Sequence, residues 1–546
     1  MRKLFALLFA VSVSGIAIAG GIVTNTNQSA MFTRLQARDA TLGIDAAYFN
    51  PAGLTLLPND GFFISLNNQT LGQTRTVNSD YALLNEKEFI GNVSAPFFPG
   101  FYAAWKKGNL AISAGFNPIG GGGGGTYDKG LPSFEYDVAD IGSALTLQGV
   151  ENIDDYSVNI FFEGSSVYFG YQANISYKIS DMFSVAIGGR YVTAKESYVG
   201  HLRDAMLNFR GTLTPIPDVF STLATEATAG AAMATGAASS MQPLIDGGAG
   251  GLTLAQAEAG GFIDATSRAQ LEGGLTALGI DPTGLTIAQA QGAYTTAAGE
   301  LTASAATASE NAEATTVLLD QEVDYEKTAS GFTPIISVNI KPIEQLNIAL
   351  KYEHKTKLEF ENSTSKDFIV GSDPETGVPI TMFPDGEKSR YDIPAQIVVG
   401  LTYQVFDPLL VSTGFHYYLD KNADWDGREE YLDANSFEWG FGLEYNISEK
   451  FLVSAGYLLT KSGVSKDYQT DLSYSLPSNS VGGGFAFQVF PMLEVNLGGS
   501  YTMYKEGDRT FDHLFAGMYP SEVTETYDKD VWIVAIGLNF NFGATK

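Results

Sequence analysis

The chain contains no cysteine, so its stability must come from a large core or a closed sheet and not from disulfides. After the first twenty residues it has no apolar run of helix-spanning length. Crossing a bilayer as a helix takes about 20 such residues, so a helical membrane protein is excluded. Basic residues are scarce: 32 Lys and Arg stand against 61 Asp and Glu, a formal net charge of -29. Nucleic acid and anionic membrane faces need clustered positive charge, so this balance argues against both as direct partners. Histidine occurs four times, as His201, His354, His416 and His513. Neither G-x-S-x-G nor H-E-x-x-H is found, so the common hydrolase signatures are missing.

What is present begins with a leader. Arg2 and Lys3 precede an apolar run from Leu4 to Val13, which leads to Ala17-Ile18-Ala19 and Gly20. That order describes a secretory signal peptide over residues 1–19. Aromatic residues then make up 12% of the chain, with 27 Tyr and 35 Phe, beside 60 Gly. This composition suits either a secreted soluble protein or a β-barrel.

Period-2 alternation separates the two. From Leu493 to Tyr504 the odd positions read Leu, Val, Leu, Gly, Tyr, Met and the even ones Glu, Asn, Gly, Ser, Thr, Tyr. Phe437, Trp439, Phe441, Leu443 and Tyr445 alternate in the same way with Glu438, Gly440, Gly442, Glu444 and Asn446. One face suits lipid and the other water. Fourteen such strands are predicted, near 61–69, 97–105, 110–116, 166–178, 182–199, 331–340, 345–358, 390–405, 409–419, 435–447, 450–461, 479–490, 492–505 and 530–543. Short turns at 106–109, 180–181, 341–344, 406–408, 448–449 and 491 alternate with long polar connections. A soluble sandwich has no reason to sort its connections by parity, whereas an outer-membrane barrel does so. Trp105, Tyr177, Tyr191, Tyr403, Tyr417, Tyr445, Tyr457, Tyr504 and Trp532 fall near strand ends, where interfacial girdles lie. The expected fold is all-β: a 14-stranded antiparallel transmembrane barrel over 59–546, in a Gram-negative outer membrane.

Two segments break the pattern. Residues 201–330 form a loop insertion whose centre is rich in Ala, Gly, Thr and Ser. It repeats itself once, Gly251-Leu252-Thr253-Leu254-Ala255-Gln256-Ala257 returning as Gly284-Leu285-Thr286-Ile287-Ala288-Gln289-Ala290. Short helices are predicted there, with a start signal at Asp281-Pro282. Residues 20–58 carry no strand pattern and stand where a plug is needed, because an open barrel of this girth would leak. They include Asn27-Gln28-Ser29-Ala30 and Asp45-Ala46-Ala47-Tyr48-Phe49-Asn50-Pro51-Ala52-Gly53-Leu54. Asn-Pro followed by small residues enforces a compact turn.

With these blocks, and with Leu476-Pro477-Ser478-Asn479 to Phe490-Pro491-Met492-Leu493-Glu494-Val495, the mature chain resembles the FadL family of outer-membrane transporters for long-chain fatty acids and aromatic hydrocarbons. The resemblance implies an N-terminal hatch over 20–58, with Asn27, Gln28, Asp45, Phe49, Asn50, Pro51 and Ala52 as hatch or gating residues. It also implies a lateral opening at a kink in the third strand, carried over to Phe116, Asn117, Pro118 and Gly120. Ligand would be captured by the outer loops, pass the hatch and leave sideways into the membrane. The expected partners are a hydrophobic small molecule (fatty acid, detergent-like or aromatic) and outer-membrane lipid or lipopolysaccharide, which divalent cations would bridge to acidic loops. A monomer is expected, with no cofactor, no metal and no catalytic residue.

Two alternatives remain open. Arg190, Lys351, Glu353, Glu438, Glu444 and Glu494 face the lumen by parity, and either line the water channel of a general diffusion porin or pair across a plugged lumen. His416 lies on the lumen face with Ser412 four residues before it. A lipase-like enzyme would need that pair to meet together with an orienting acid.

Overall fold

The computed structural model describes residues 29–372, 376, 378–515 and 519–543. The leader, Asn27 and Gln28 lie outside the described residues. Fourteen antiparallel strands form the wall: β1 Gly61–Ser79, β2 Glu88–Lys107, β3 Leu110–Tyr127, β4 Ile153–Lys178, β5 Phe183–Phe209, β6 Asp320–Ile343, β7 Leu346–Glu353, β8 Gln396–Phe406, β9 Leu409–Tyr418, β10 Phe437–Ser448, β11 Phe451–Lys461, β12 Ser478–Phe490, β13 Leu493–Tyr504 and β14 Tyr519–Asn541. Each pairs with its neighbour in sequence, and β14 pairs with both β13 and β1, so the cylinder closes. Closure leaves no open edge, which is the condition for a sheet to sit in hydrocarbon.

The alternation is realised side chain by side chain. In β10, Glu438, Gly440 and Gly442 are buried inside, while Trp439, Phe441 and Leu443 are exposed outward. Ile187, Ile336, Val399, Val481 and Ile536 continue this outward apolar belt. Tyr177, Tyr403 and Tyr445 are exposed beside tight turns, as a girdle requires. Tyr504 departs from that role, because it packs against the buried apolar cluster of the outer loops, with the Lys529 ammonium 4.6 Å from its ring centre.

Several strands run well past the predicted ends. β1 has 19 residues, β4 26 and β5 27, although a bilayer needs only about 9–11. The surplus extends the sheet at the long-loop end. Lipid no longer dictates one apolar face there, so the sequence reads as loop while the backbone stays paired. In the insertion, β5 ends at Phe209, β6 begins at Asp320, and the helices lie between them.

Those helices are longer than predicted: α4 (Ile216–Asp246) has 31 residues and α7 (Ile287–Ala314) has 28, with α5 (Leu254–Ala259) and α6 (Ala265–Ala277) between them. Alanine is the best helix former, so a low hydrophobic contrast did not limit their length. α7 starts at Thr286 and not at Asp281. The repeat explains this, since Thr253 with Gln256 and Thr286 with Gln289 each close a capping box. The two Thr also face each other in an antiparallel bridge. The insertion thus builds a core of its own from Ala234, Met241, Leu271, Leu275, Ala290 and Tyr294.

Candidate functional site

Residues 29–57 lie inside the barrel, folded as α1 (Ala30–Arg34), α2 (Ala46–Phe49) and a 3-10 turn over Pro51–Leu56. Helices this short leave most of their backbone groups without internal partners. The wall supplies those partners. Asn347 Nδ2 donates to Ala40 O (3.0 Å), and Gln172 Nε2 and Asn174 Nδ2 both donate to Ala47 O (2.9 and 3.0 Å). Ser176 Oγ donates to Pro51 O (2.7 Å) and Ser184 Oγ to Ala52 O (2.8 Å), while Ala52 N donates to Ser337 Oγ (3.0 Å). Asn50 Nδ2 reaches both Thr41 O (3.1 Å) and Asn339 Oδ1 (2.7 Å). The Asn50-Pro51-Ala52 turn is therefore pinned to β4, β5 and β6 at once. Asp45 is fully buried and receives the Arg38 guanidinium fork at 2.7 and 2.9 Å. Phe49 is buried, stacked on Phe32 at 5.5 Å and edge-on to Tyr48 at 5.2 Å.

The lumen charges are held partly by this inner segment and partly by one another and by wall amides. Arg34 Nη1 binds Glu444 Oε2 at 2.6 Å and Ser454 Oγ at 2.8 Å, and its Nε binds Asn496 Oδ1 at 3.1 Å. Glu494 Oε1 accepts from Asn496 Nδ2 and Asn539 Nδ2. Arg190 forks onto Glu353 at 2.6 and 2.9 Å, and Lys351 joins the same carboxylate at 2.9 Å. Both cations lie over the Tyr48 ring, at 4.7 and 5.0 Å, and Lys351 Nζ also donates to Tyr48 O. His416 sits between Asp39 (2.7 Å) and Glu438 (3.0 Å). Ser412 Oγ has no hydrogen-bond partner among the described residues, so the pairing that a lipase requires is not made.

Sequence reasoning missed the glycines that make room for the inner segment. A Cβ at Gly456 would come within 2.5 Å of Gln36 N, one at Gly400 within 2.5 Å of Ala40 N, and one at Gly498 within 2.8 Å of Ala30 O. Gly440 and Gly482 meet Gln36 O and Thr33 O in the same way. The signal was available, because inward positions of β8 to β13 carry Gly where polar residues would otherwise serve.

Among the described residues, the ladder between β2 and β3 is interrupted. β2 and β3 pair from Phe101↔Phe116 to Lys107↔Leu110 and again at Asn92↔Thr126 and Gly91↔Tyr127. Between these, residues 93–100 and 117–125 face each other without a ladder, although β2 still pairs with β1 and β3 still pairs with β4. Pro96, Pro99 and Pro118 lie in this gap, each without an N–H to donate. Asn117, Pro118 and Ile119 are buried in succession, so β3 loses its lipid-facing side and turns inward. Two bulges carry β3 along β4 past Gly120 and Gly121. Gly121 has φ +110, a backbone that disfavours any side chain. Phe116 remains on the outer side against Phe169 (5.5 Å) and Tyr171 (5.1 Å). Phe97 on the opposite lip is 70% exposed. Behind the gap, Ile119 and Tyr48 line a cavity of about 20 Å³ together with Arg190 and Glu353, room for about one water. Ile119 follows the predicted Asn117-Pro118 pair and Tyr48 precedes the predicted Phe49, so the two segments approach each other at this cavity through neighbours of the predicted residues.

Above the inner segment the outer loops close the mouth with an apolar cluster. α3 (Pro132–Leu147) contributes Val138, Ile141 and Leu145. Rings pack across it, Tyr325 stacked on Phe383 at 4.3 Å, and Phe162 tilted against both Tyr198 at 5.0 Å and Phe134 at 5.2 Å. Asp471 holds the start of α3 by accepting from Ser133 N at 2.9 Å, and burial lifts its carboxyl above the ordinary range.

No protein-family model matches the chain, and no curated protein does. Solved structures do match. A FadL homologue from Pseudomonas aeruginosa aligns over 96% of this chain and 100% of its own, with a TM-score of 0.55 and 12% identity. The toluene transporter TodX of P. putida aligns over 97% and 100%, with a TM-score of 0.51 and 12% identity. The fold is that of the FadL-type outer-membrane barrels.

Proposed function

We propose that this protein is a passive outer-membrane channel for small hydrophobic molecules such as long-chain fatty acids or aromatic hydrocarbons. The observation that carries the reading is the gap between β2 and β3, which opens sideways toward lipid and ends internally on the buried inner segment. Cargo partitions from water into the aromatic cluster at the mouth. Residues 29–57 act as the hatch that cargo must displace or pass, and the gap releases it into the membrane. A long acyl chain gains about 0.8 kcal/mol per CH2 taken out of water, so partitioning drives the flow and the protein supplies rate. A porin reading is weaker, because the lumen charges are spent on one another and on the hatch.

The experiment is uptake of toluene and of a labelled long-chain fatty acid into proteoliposomes. Uptake should fall for Asn50→Ala, which unpins the hatch turn, and for a chain shortened within 119–124 so that β2 and β3 zip together. Normal uptake by the zipped barrel would remove the lateral route. A large steady ion current through the parent protein would favour the porin.

A further inference from the structure

At the barrel mouth, α3 presents Asp137 and Asp140, one helical turn apart, to His513 on the outer strand Gly507–Phe515. One donor atom from each of the three lies within 4.8 Å of the others. The His513 ring is held edge-on to Tyr81 at 4.9 Å and lies 5.2 Å from Tyr136, which aims Nε2 at Asp140 Oδ2, 2.9 Å away. The other oxygen of Asp140 accepts a hydrogen bond from the Tyr81 hydroxyl. Such outer partners commonly fix a ligating carboxylate. The Asp137 carboxylate makes no side-chain hydrogen bond among the described residues. Two carboxylates this close repel unless a proton or a cation lies between them, and the imidazole beside them supplies the nitrogen donor that favours a metal ion.

We propose that Asp137, Asp140 and His513 bind a divalent cation of the Zn2+ class, which clamps α3 to the last outer hairpin. One imidazole nitrogen and two carboxylate oxygens suit Zn2+ and its neighbours, with water completing the shell, whereas Ca2+ and Mg2+ prefer oxygen alone. Asp140 and His513 are 373 residues apart in sequence, and an ion there would reinforce the Tyr136–Glu525 and Asp140–His513 hydrogen bonds that already join α3 to this hairpin. Because α3 also carries part of the apolar cluster over the mouth, the ion would restrain that cover. The site does not depend on what the barrel transports.

The test is calorimetric titration of the chelator-treated, full-length protein in detergent micelles with Zn2+ alone. One saturable site per chain is expected, unaffected by excess Mg2+. Asp137→Asn and His513→Asn should each weaken it by at least about tenfold, and Tyr81→Phe by a smaller factor. Amide exchange over residues 132–147 should slow when Zn2+ is added to the parent and not to the variants. Asp137→Asn keeps the side-chain shape and breaks no hydrogen bond, so it tests binding without unfolding α3. Absence of a saturable site, or equal affinity in parent and variants, would overturn the proposal.

Discussion

Replacing Arg34 with Met tests whether the inner segment is a gate. The side chain keeps its length and loses its charge, so the ties to Glu444, Ser454 and Asn496 vanish together. Arg34 is 4% exposed and Glu444 15%, so the carboxylate is left largely desolvated without its cation. Breaking a buried pair from one side costs about 3–5 kcal/mol. At about 1.4 kcal/mol per tenfold, the undocked fraction of α1 should rise by about two to three and a half orders of magnitude. Planar-bilayer recording reads this directly, as more frequent ion-conducting openings of a barrel that is otherwise closed. Glu444→Gln should produce a similar rise from the wall side. The double variant should open less than the sum of the two predicts, because each single change already removes the shared contact. Unchanged opening in Arg34→Met, with the barrel migrating as folded in unheated gels, would refute the idea that this contact holds the gate. Strict additivity in the double variant would show that the two residues act separately.

Two further outcomes follow from the geometry. Gly456→Val puts a branched side chain against Gln36 N, where even a Cβ would lie at 2.5 Å. Overpacking of this kind costs about 1–3 kcal/mol, so leak should rise, and a partner deletion of residues 29–45 should make the two Gly456 alleles indistinguishable in conductance. Asp471 has a folded pKa raised by burial. Its contribution favours the docked loop at low pH and is lost as pH rises through the folded value. Exchange protection of α3, corrected for intrinsic rate and measured with chelator present, should therefore be greater near pH 5 than near pH 7. Weaker protection at the lower pH would contradict this.

The barrel was legible because lipid imposes a local rule. Every second residue of a spanning strand must tolerate hydrocarbon, so Phe437 to Tyr445 or Leu493 to Tyr504 declare themselves without reference to any distant residue. Turns and loops alternate for the same reason, since the membrane has two unlike sides. The Asn50-Pro51-Ala52 turn and the Pro118-Gly120 stretch were visible as well, because Pro and Gly constrain the backbone wherever they stand. The strand extensions were not, because outside the bilayer the alternation rule lapses while pairing continues. Nor was the length of α4 and α7, where alanine propensity supplies helix without a strong apolar face.

What the sequence determined alone was the closed cylinder, its sidedness and the segment left over to fill it. The tertiary structure decided which wall residues meet that segment. Arg34 finds Glu444, Asp39 finds His416, and the Gln36 backbone fits against Gly456. It also decided that β3 leaves β2 between Phe116 and Thr126 while keeping β4, and that His513 arrives beside Asp137 and Asp140. Each of these pairs residues far apart in sequence, and contact between distant residues has no period for a local pattern to reveal.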